Sequence, residues 1–254
     1  MNGFRFKQFF VRHDRCAMKV GTDGVLLGSW ATVSHASTAL DIGTGTGLIA
    51  LMLAQRNPNL LIDALDIDPD AVAQAQENIA ASPFHEHIKV HLQDFTLTSP
   101  LSTSSCSKAV ANSSLFTLTS NLSTLTYSLI ISNPPFYTEH TSCPDDKRDT
   151  ARHTSSLPIS SLMSGAASLL APEGLFSLII PTSLAPEVIS EGAQHGLFLS
   201  RRTDVVTTPN KQPKRTLLEF SKQQKETHHD ILHIRDAHNN YTEAYKSLTQ
   251  DFYL

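Results

Sequence analysis

The stretch that most restricts how this chain can fold is residues 39–56, ALDIGTGTGLIALMLAQR. Residues 39–42 are a short apolar strand. Three glycines at alternate positions, Gly43, Gly45 and Gly47, then interrupt regular structure. Residues 47–56 carry apolar side chains on most faces, which suits a buried helix, and Pro58 ends it. The same alternation runs down the chain. Residues 60–67 read as a second strand buried on both faces. Residues 69–81 read as a helix, with Asp68 at the N-cap and Pro69 in the first turn. Strands follow at 88–92, 127–132 and 174–181, with helices at 159–170 and 183–195, and two closing strands at 197–208 and 215–221. Strands alternating with helices predict a Rossmann-like α/β fold: a doubly wound, mostly parallel sheet of seven strands. The last two strands, close in sequence, predict an antiparallel edge.

A chain of 254 residues, 40% of them hydrophobic, can bury a full core. We read 1–254 as a single domain. Residues 1–38 form an N-terminal segment that contributes to the site, and 96–126 a Ser/Thr-rich loop insertion. The formal net charge of -4 excludes a chain that is basic throughout, so any nucleic-acid contact has to come from a local patch. Cys16, Cys106 and Cys143 form no Cys-x-x-Cys pair, which argues against a disulfide framework or zinc ribbon and fits a reducing, cytoplasmic setting. The histidines, His228, His229 and His233 among them, lack a ligand pattern, so no metal is expected. No apolar run reaches the ~18 residues of a membrane span, so no membrane partner is expected.

The glycine loop lets the backbone approach a ligand closely and places free N–H groups at a helix start. It does not choose the ligand: GTGLIA from Gly45 also satisfies a dinucleotide fingerprint. Asp66, about twenty residues further on at the end of the second strand, suits ribose hydroxyls. Asp94, after the third strand, suits an adenine amino group. Both features fit any adenosine-containing cofactor.

The run Asn133-Pro134-Pro135-Phe136, directly after the fourth strand, narrows the choice. A conjugated amino nitrogen is a poor nucleophile because its lone pair is delocalised. Two acceptors facing its N–H bonds favour a pyramidal nitrogen. The Asn133 side-chain oxygen and the Pro134 carbonyl, held by a rigid diproline, supply them. Phe136 supplies a stacking surface for a flipped base. A dehydrogenase has no use for this tetrad.

In this order, DIGTGTG, the two acids and NPPF resemble the class I N-methyltransferases of DNA, RNA and protein. The runs FKQFFVRHDRCAMKVGTDGVLLGSWA (6–31) and NYTEAYKSLTQDFYL (240–254) resemble, more narrowly, the bacterial tRNA1(Val) adenine-37 N6-methyltransferase family. The resemblance covers nearly the whole chain; segment 98–126 departs from it. It implies S-adenosyl-L-methionine as cofactor and methyl transfer to N6 of adenosine 37 in tRNA1(Val). Gly43, Gly45 and Gly47 would then line the methionine part, Asp41 belong to the same cofactor site, Asp66 hold the ribose and Asp94 the adenine. Lys19, Thr22 and Asp23 would close over the amino-acid end, and Asn133, Pro134, Pro135 and Phe136 hold the base. Arg5, Lys7, Arg12 and Arg15, then Lys147, Arg148 and Arg152, then Arg201, Arg202, Lys211, Lys214 and Arg215 are the candidate phosphate contacts. The aromatics among the first group suit single-stranded RNA. A monomer is expected. The alternatives are methylation of another RNA base or of a protein glutamine amide, and a binding module without catalysis.

Overall fold

A computed structural model of the chain describes residues 3–16, 19–97, 126–135 and 157–253. In chain order its elements are β1 (Gly3–Arg5), β2 (Phe10–Arg12), α1 (Thr22–Trp30), β3 (Thr38–Ile42), α2 (Leu48–Arg56), β4 (Leu61–Asp66), α3 (Pro69–Ala80) and β5 (Ile88–Leu92). After the insertion come β6 (Tyr127–Ser132), α4 (Ile159–Leu169), β7 (Leu170–Pro181), α5 (Ala185–Gln194), β8 (Phe198–Val206), β9 (Arg215–Ser221), β10 (His228–His233) and α6 (Glu243–Thr249). Phe136, Lys147, Arg148, Arg152, Cys106, Cys143 and all but the margins of the expected insertion lie outside the described residues.

The main sheet has the order β10-β8-β9-β7-β6-β3-β4-β5. It is the expected doubly wound, mostly parallel sheet, and the β8–β9 pair is antiparallel as expected. Two details differ. The sheet has eight strands among the described residues, not seven, because β10 adds in parallel to β8 at the edge, and the antiparallel β9 lies inside it, between β7 and β8. β10 reads HHDILH and buries only Leu232 fully, so it has no apolar pattern to announce it. An edge strand is solvated on its outer side and can be polar.

The strands bury both faces, and successive side chains go to different cores. Leu129, Ile131, Ile179 and Leu217 join α1, α2 and α3 on one side. Ile130, Leu178, Ile180 and Leu218 join α4 and α5 on the other. This sandwich fixes the register of each strand, since a slip of one residue would exchange the two faces.

Helix α1 has no counterpart in the sequence reading. Its two glycines weaken it as an isolated helix by roughly 1 kcal/mol each. They are used for packing: a Cβ on Gly28 would stand 2.7 Å from Met52 Sδ and 3.1 Å from Met52 Cβ, so a larger residue there has to displace the Met52 side chain. At its far end α1 is held across the sheet by Trp30 Nε1, which donates to Thr203 Oγ1 at 2.9 Å. The N-terminal β1–β2 hairpin is likewise packed down. Phe6 and Phe9 are 0% and 2% exposed and stack at 4.8 Å, and Lys7 N donates to Phe252 O at 2.9 Å.

Candidate active site

Chain order against sheet order locates the site. From β3 the chain winds outward through β4 to β5, then crosses to β6 on the other side of β3. The switch point therefore lies between the carboxyl ends of β3 and β6, where open α/β sheets bind ligands. Ile42 pairs with Ser132 across these strands, and Ser132 Oγ donates to Ile42 O at 2.9 Å. The next residue on one strand is Gly43 and on the other Asn133, so the glycine loop and the tetrad start side by side.

The loop is held rigidly from below. Gly43 N and Thr44 N both donate to Leu65 O at 2.9 Å. Thr44 Oγ1 donates to Asp41 Oδ2 at 2.6 Å, and Asn78 Nδ2 to Thr46 O at 2.9 Å. Gly43, Gly45 and Gly47 take φ of 71°, 56° and 79°, the left-handed region that favours glycine. Above the loop there is room: a Cβ on Gly43 or Gly45 meets no heavy atom within 4 Å. The loop is thus a fixed cradle with an open upper surface.

Asp66 closes one side of the cradle. Its Oδ2 accepts from Gly45 N at 2.8 Å and its Oδ1 from Asp68 N at 3.0 Å. Burial raises the Asp66 carboxyl above its ordinary value, against the pull of those amide donors. Asp68 caps α3, accepting from Asp70 N at 2.9 Å, as the Asp-Pro pair predicts. Gln93 N donates to Asp66 O at 2.9 Å, which stitches the ends of β4 and β5 and brings Asp94 to the same edge. Asp94 Oδ1 accepts from Thr96 N and Oγ1 at 2.8 and 2.7 Å. Ile67, not singled out by sequence, follows Asp66 and is a large apolar side chain 50% exposed at this edge. Its signal was an isoleucine continuing past the end of a strand.

Two further groups belong to this edge. Asp41 is fully buried, and its Oδ1 has no hydrogen-bond partner among the described residues. Burial, foremost, and the neighbouring Asp66 raise its carboxyl to about 7, although Thr44 and the Ala50 amide pull it down. Cys16, from the N-terminal segment, faces the same acids; burial first, then Asp66, Asp68, Asp14 and Asp70, raises its thiol to about 11. It stays protonated at neutral pH and is no nucleophile. Among the described residues no group of three or more His, Cys, Asp or Glu could hold a metal.

Asn133 is half-buried, Pro134 buried and Pro135 half-buried at the end of β6. The edge therefore brings together Asp41, Gly43, Gly45, Gly47, Asp66, Asp94, Asn133, Pro134 and Pro135.

A family model described as methyltransferase small domain matches residues 18–112. A protein of Bacteroides thetaiotaomicron is 44% identical over 252 residues, covering 99% of this chain and 97% of that one. One of Phocaeicola vulgatus is 47% identical over 251 residues, with the same two shares of 99% and 97%. One of Escherichia coli O157:H7 is 43% identical over 254 residues, covering 100% and 95%. All three are named tRNA1(Val) (adenine(37)-N6)-methyltransferase. The chain belongs to this methyltransferase family. A solved structure of a predicted O-methyltransferase from Agrobacterium tumefaciens superposes with a TM-score of 0.64 at 15% identity, covering 91% of this chain and 96% of that one; it shares the fold.

In this member of the methyltransferase family the N-terminal segment packs against the helix that follows the glycine loop. Thr22 and Asp23 open α1, whose first turn packs on that of α2: a Cβ on Gly24 would lie 3.1 Å from Leu48 Cδ2. Lys19 and Thr22 are exposed, while the Asp23 carboxylate accepts from Arg215 Nε at 2.7 Å. The first basic cluster is less available than its sequence suggests. Phe6 and Phe9 are core residues, because burying large rings outweighs presenting them to solvent. Arg15 pairs with Glu77 at 2.8 Å, Lys7 Nζ donates to Gln250 O, and Arg5 lies over Phe10. Arg201 and Arg202 lie mid-strand in β8 and are used internally: Arg201 stacks 3.6 Å over Trp30, and Arg202 pairs with Asp204 at 3.0 Å. Lys211, Lys214 and Arg215 lie in and after the β8–β9 turn, at the catalytic edge.

Proposed function

We propose that this chain transfers a methyl group from S-adenosyl-L-methionine to N6 of adenosine 37 in tRNA1(Val), in the cytoplasm. The observation that carries the reading is the juxtaposition, at the switch point, of an open glycine cradle and the Asn133-Pro134-Pro135 run. The residues fit the cofactor: Gly43 and Gly45 leave space above the backbone, and Asp66 stands beside them with Ile67 exposed. Gly43, Gly45 and Gly47 would hold the methionine end, with Asp41 beneath them fixing the loop through Thr44, Asp66 would hold the ribose, Asp94 the adenine, and Lys19, Thr22 and Asp23 the rim. When bound, S-adenosyl-L-methionine supplies a methyl group made electrophilic by its sulfonium.

The chain's own residues prepare the nucleophile. The Asn133 side-chain oxygen and the Pro134 carbonyl accept the two N–H bonds of the adenine amino group. This turns the nitrogen lone pair out of conjugation and towards the cradle. Consecutive prolines restrict the backbone so that the carbonyl keeps its direction. Phe136, outside the described residues, is the residue that sequence assigns to stacking on the base, which must leave its own stack to enter. As the N–C bond forms, the methyl–sulfur bond of the sulfonium would break to leave a neutral thioether, and the now acidic nitrogen loses its proton to water, so no general base has to act first.

The test is nucleoside mass spectrometry. Purified protein with labelled cofactor should give N6-methyladenosine at position 37 of tRNA1(Val) and no label in nuclease-treated protein extract. Label in protein glutamine instead, with none in tRNA, would refute the assignment. Cofactor binding without turnover on either pool would mark a binding module.

A further inference from the structure

Strand direction brings a second group of residues to the catalytic edge. β7 and β8 both run antiparallel to β9, and β10 runs parallel to β8. The ends of β7, β8 and β10 and the start of β9 therefore emerge on the side where β6 presents Asn133. The end of β8, the residues just after β10, the start of β9 and the first turn of α1 line a cleft of about 270 Å3, whose charged lining is Asp23, Lys214, Arg215 and Arg235. Asp23 is matched by Arg215. Lys214 and Arg235 have no carboxylate partner among the described residues, so the cleft carries two uncompensated positive charges. With neighbouring strands ~4.8 Å apart, the start of β9 lies roughly 10 Å and the end of β10 roughly 19 Å from Asn133 along the sheet.

Arg235 is positioned in advance. Its guanidinium lies 4.1 Å over the Tyr241 ring, and Nη1 donates to Asn239 O at 2.6 Å. Tyr241 is braced by Tyr245, ring centroids 5.0 Å apart. The turn between them is fixed by Asp236, whose Oδ1 accepts from His238 N and Asn240 N at 2.9 Å each, with Asn239 at φ 64°. The one acid next to Arg235 in sequence is thus engaged with backbone amides. A guanidinium held flat, with N–H groups left over, is suited to phosphate oxygens.

The geometry points to this cleft as a second RNA contact: Lys214 and Arg235 hold backbone phosphates of the strand that flanks the adenosine presented to Asn133. The inference rests on the tRNA reading above and adds a place and two donors to it. Lysine and arginine contacts to a single strand make binding salt-dependent, with a slope of about 0.7 per phosphate neutralised.

The experiment measures tRNA methylation by the full chain across a sodium chloride series. The variants are Lys214→Gln with Arg235→Gln, the charge-keeping pair Lys214→Arg with Arg235→Lys, and Lys225→Gln. Lys225 is an exposed cation between β9 and β10, at the opposite edge, and serves as the control. The glutamine pair should raise KM for tRNA about 10-fold and reduce the slope of log KM against log salt by about 1.4, for two phosphates at ~0.7 each. The charge-keeping pair should recover most of the slope, and Lys225→Gln should match wild type. A thermal midpoint of the glutamine pair equal to that of wild type separates lost contact from misfolding. An active wild type with unchanged KM and slope in the glutamine pair overturns this inference alone. A wild type that methylates no tRNA overturns the tRNA reading and this inference with it.

Discussion

Asp41 should make the stability of this protein fall as pH rises, because a carboxyl without solvent access is most easily held neutral. Its pKa in the folded chain is raised from 3.8 to about 7. Between those values the unfolded chain has released the proton and the folded chain keeps it. Folding stability then drops by about 1.4 kcal/mol per pH unit. The contribution is fully present below pH ~4, is lost progressively as pH rises, and stops changing above the folded pKa. Over the interval from pH 5 to 8, two units lie below that pKa, which corresponds to about 3 kcal/mol. The substitution that isolates the effect is Asp41→Asn. It keeps an oxygen that accepts from Thr44 Oγ1 and removes the titration. Urea unfolding of both proteins at pH 5, 6, 7 and 8, without cofactor, is the assay. Wild type should lose about 3 kcal/mol more than Asp41→Asn between the extremes, a large share of the 5–15 kcal/mol typical of a folded domain. Parallel pH profiles for the two proteins would refute the reasoning. They would mean that Asp41 ionises in the folded state at its ordinary pKa, despite its burial.

Four further outcomes follow from the same geometry. Asn133→Ala should retain cofactor affinity by calorimetry and lose about 10²–10³ in turnover, since it removes an acceptor that acts on the reacting nitrogen; full turnover would count against the role. Asp66→Ala should weaken cofactor binding by ~10-fold or more, since it deletes an acceptor and frees the Gly45 amide it holds; an unchanged dissociation constant would remove Asp66 from the site. Gly45→Ala should cost roughly 1–2 kcal/mol by chemical unfolding, because its φ of 56° is left-handed although space for a Cβ is available. Asn78→Ala should cost about 2–4 kcal/mol, because Arg12 N, Arg12 O and Thr46 O all lose their partner at a residue only 2% exposed; an effect under 1 kcal/mol would show that water replaces it.

Much of the α/β frame was readable because its signals are local. The strand-glycine-helix run at 39–56, the Asp68-Pro69 helix start and the apolar strands each depend on residues a few positions apart, and each appears where the pattern predicts. The elements that were missed lack such a signal. Helix α1 carries two glycines whose value lies in contact with Met52 and Leu48, residues of another helix. Strand β10 is polar because it is an edge. The hairpin at 3–12 looked like a basic, aromatic binding arm, and only the burial of Phe6 and Phe9 marks it as core.

The candidate site divides in the same way. Residue types and their order along the chain were enough to name the glycine loop, Asp66, Asp94 and the tetrad from Asn133, because glycine conformation and the needs of an amino nitrogen are properties of short segments. Which cations serve the site was decided by the tertiary structure. Arg201 and Lys214 look equivalent in sequence, yet Arg201 is folded onto Trp30 in mid-strand while Lys214 lies at the catalytic edge. Strand direction and pairing set that difference, together with contacts between residues far apart in the chain, as in the bond from Arg201 to Trp30 O across a separation of 171 residues. The chain alone named the chemistry; the order of the strands determined which side chains stand beside it.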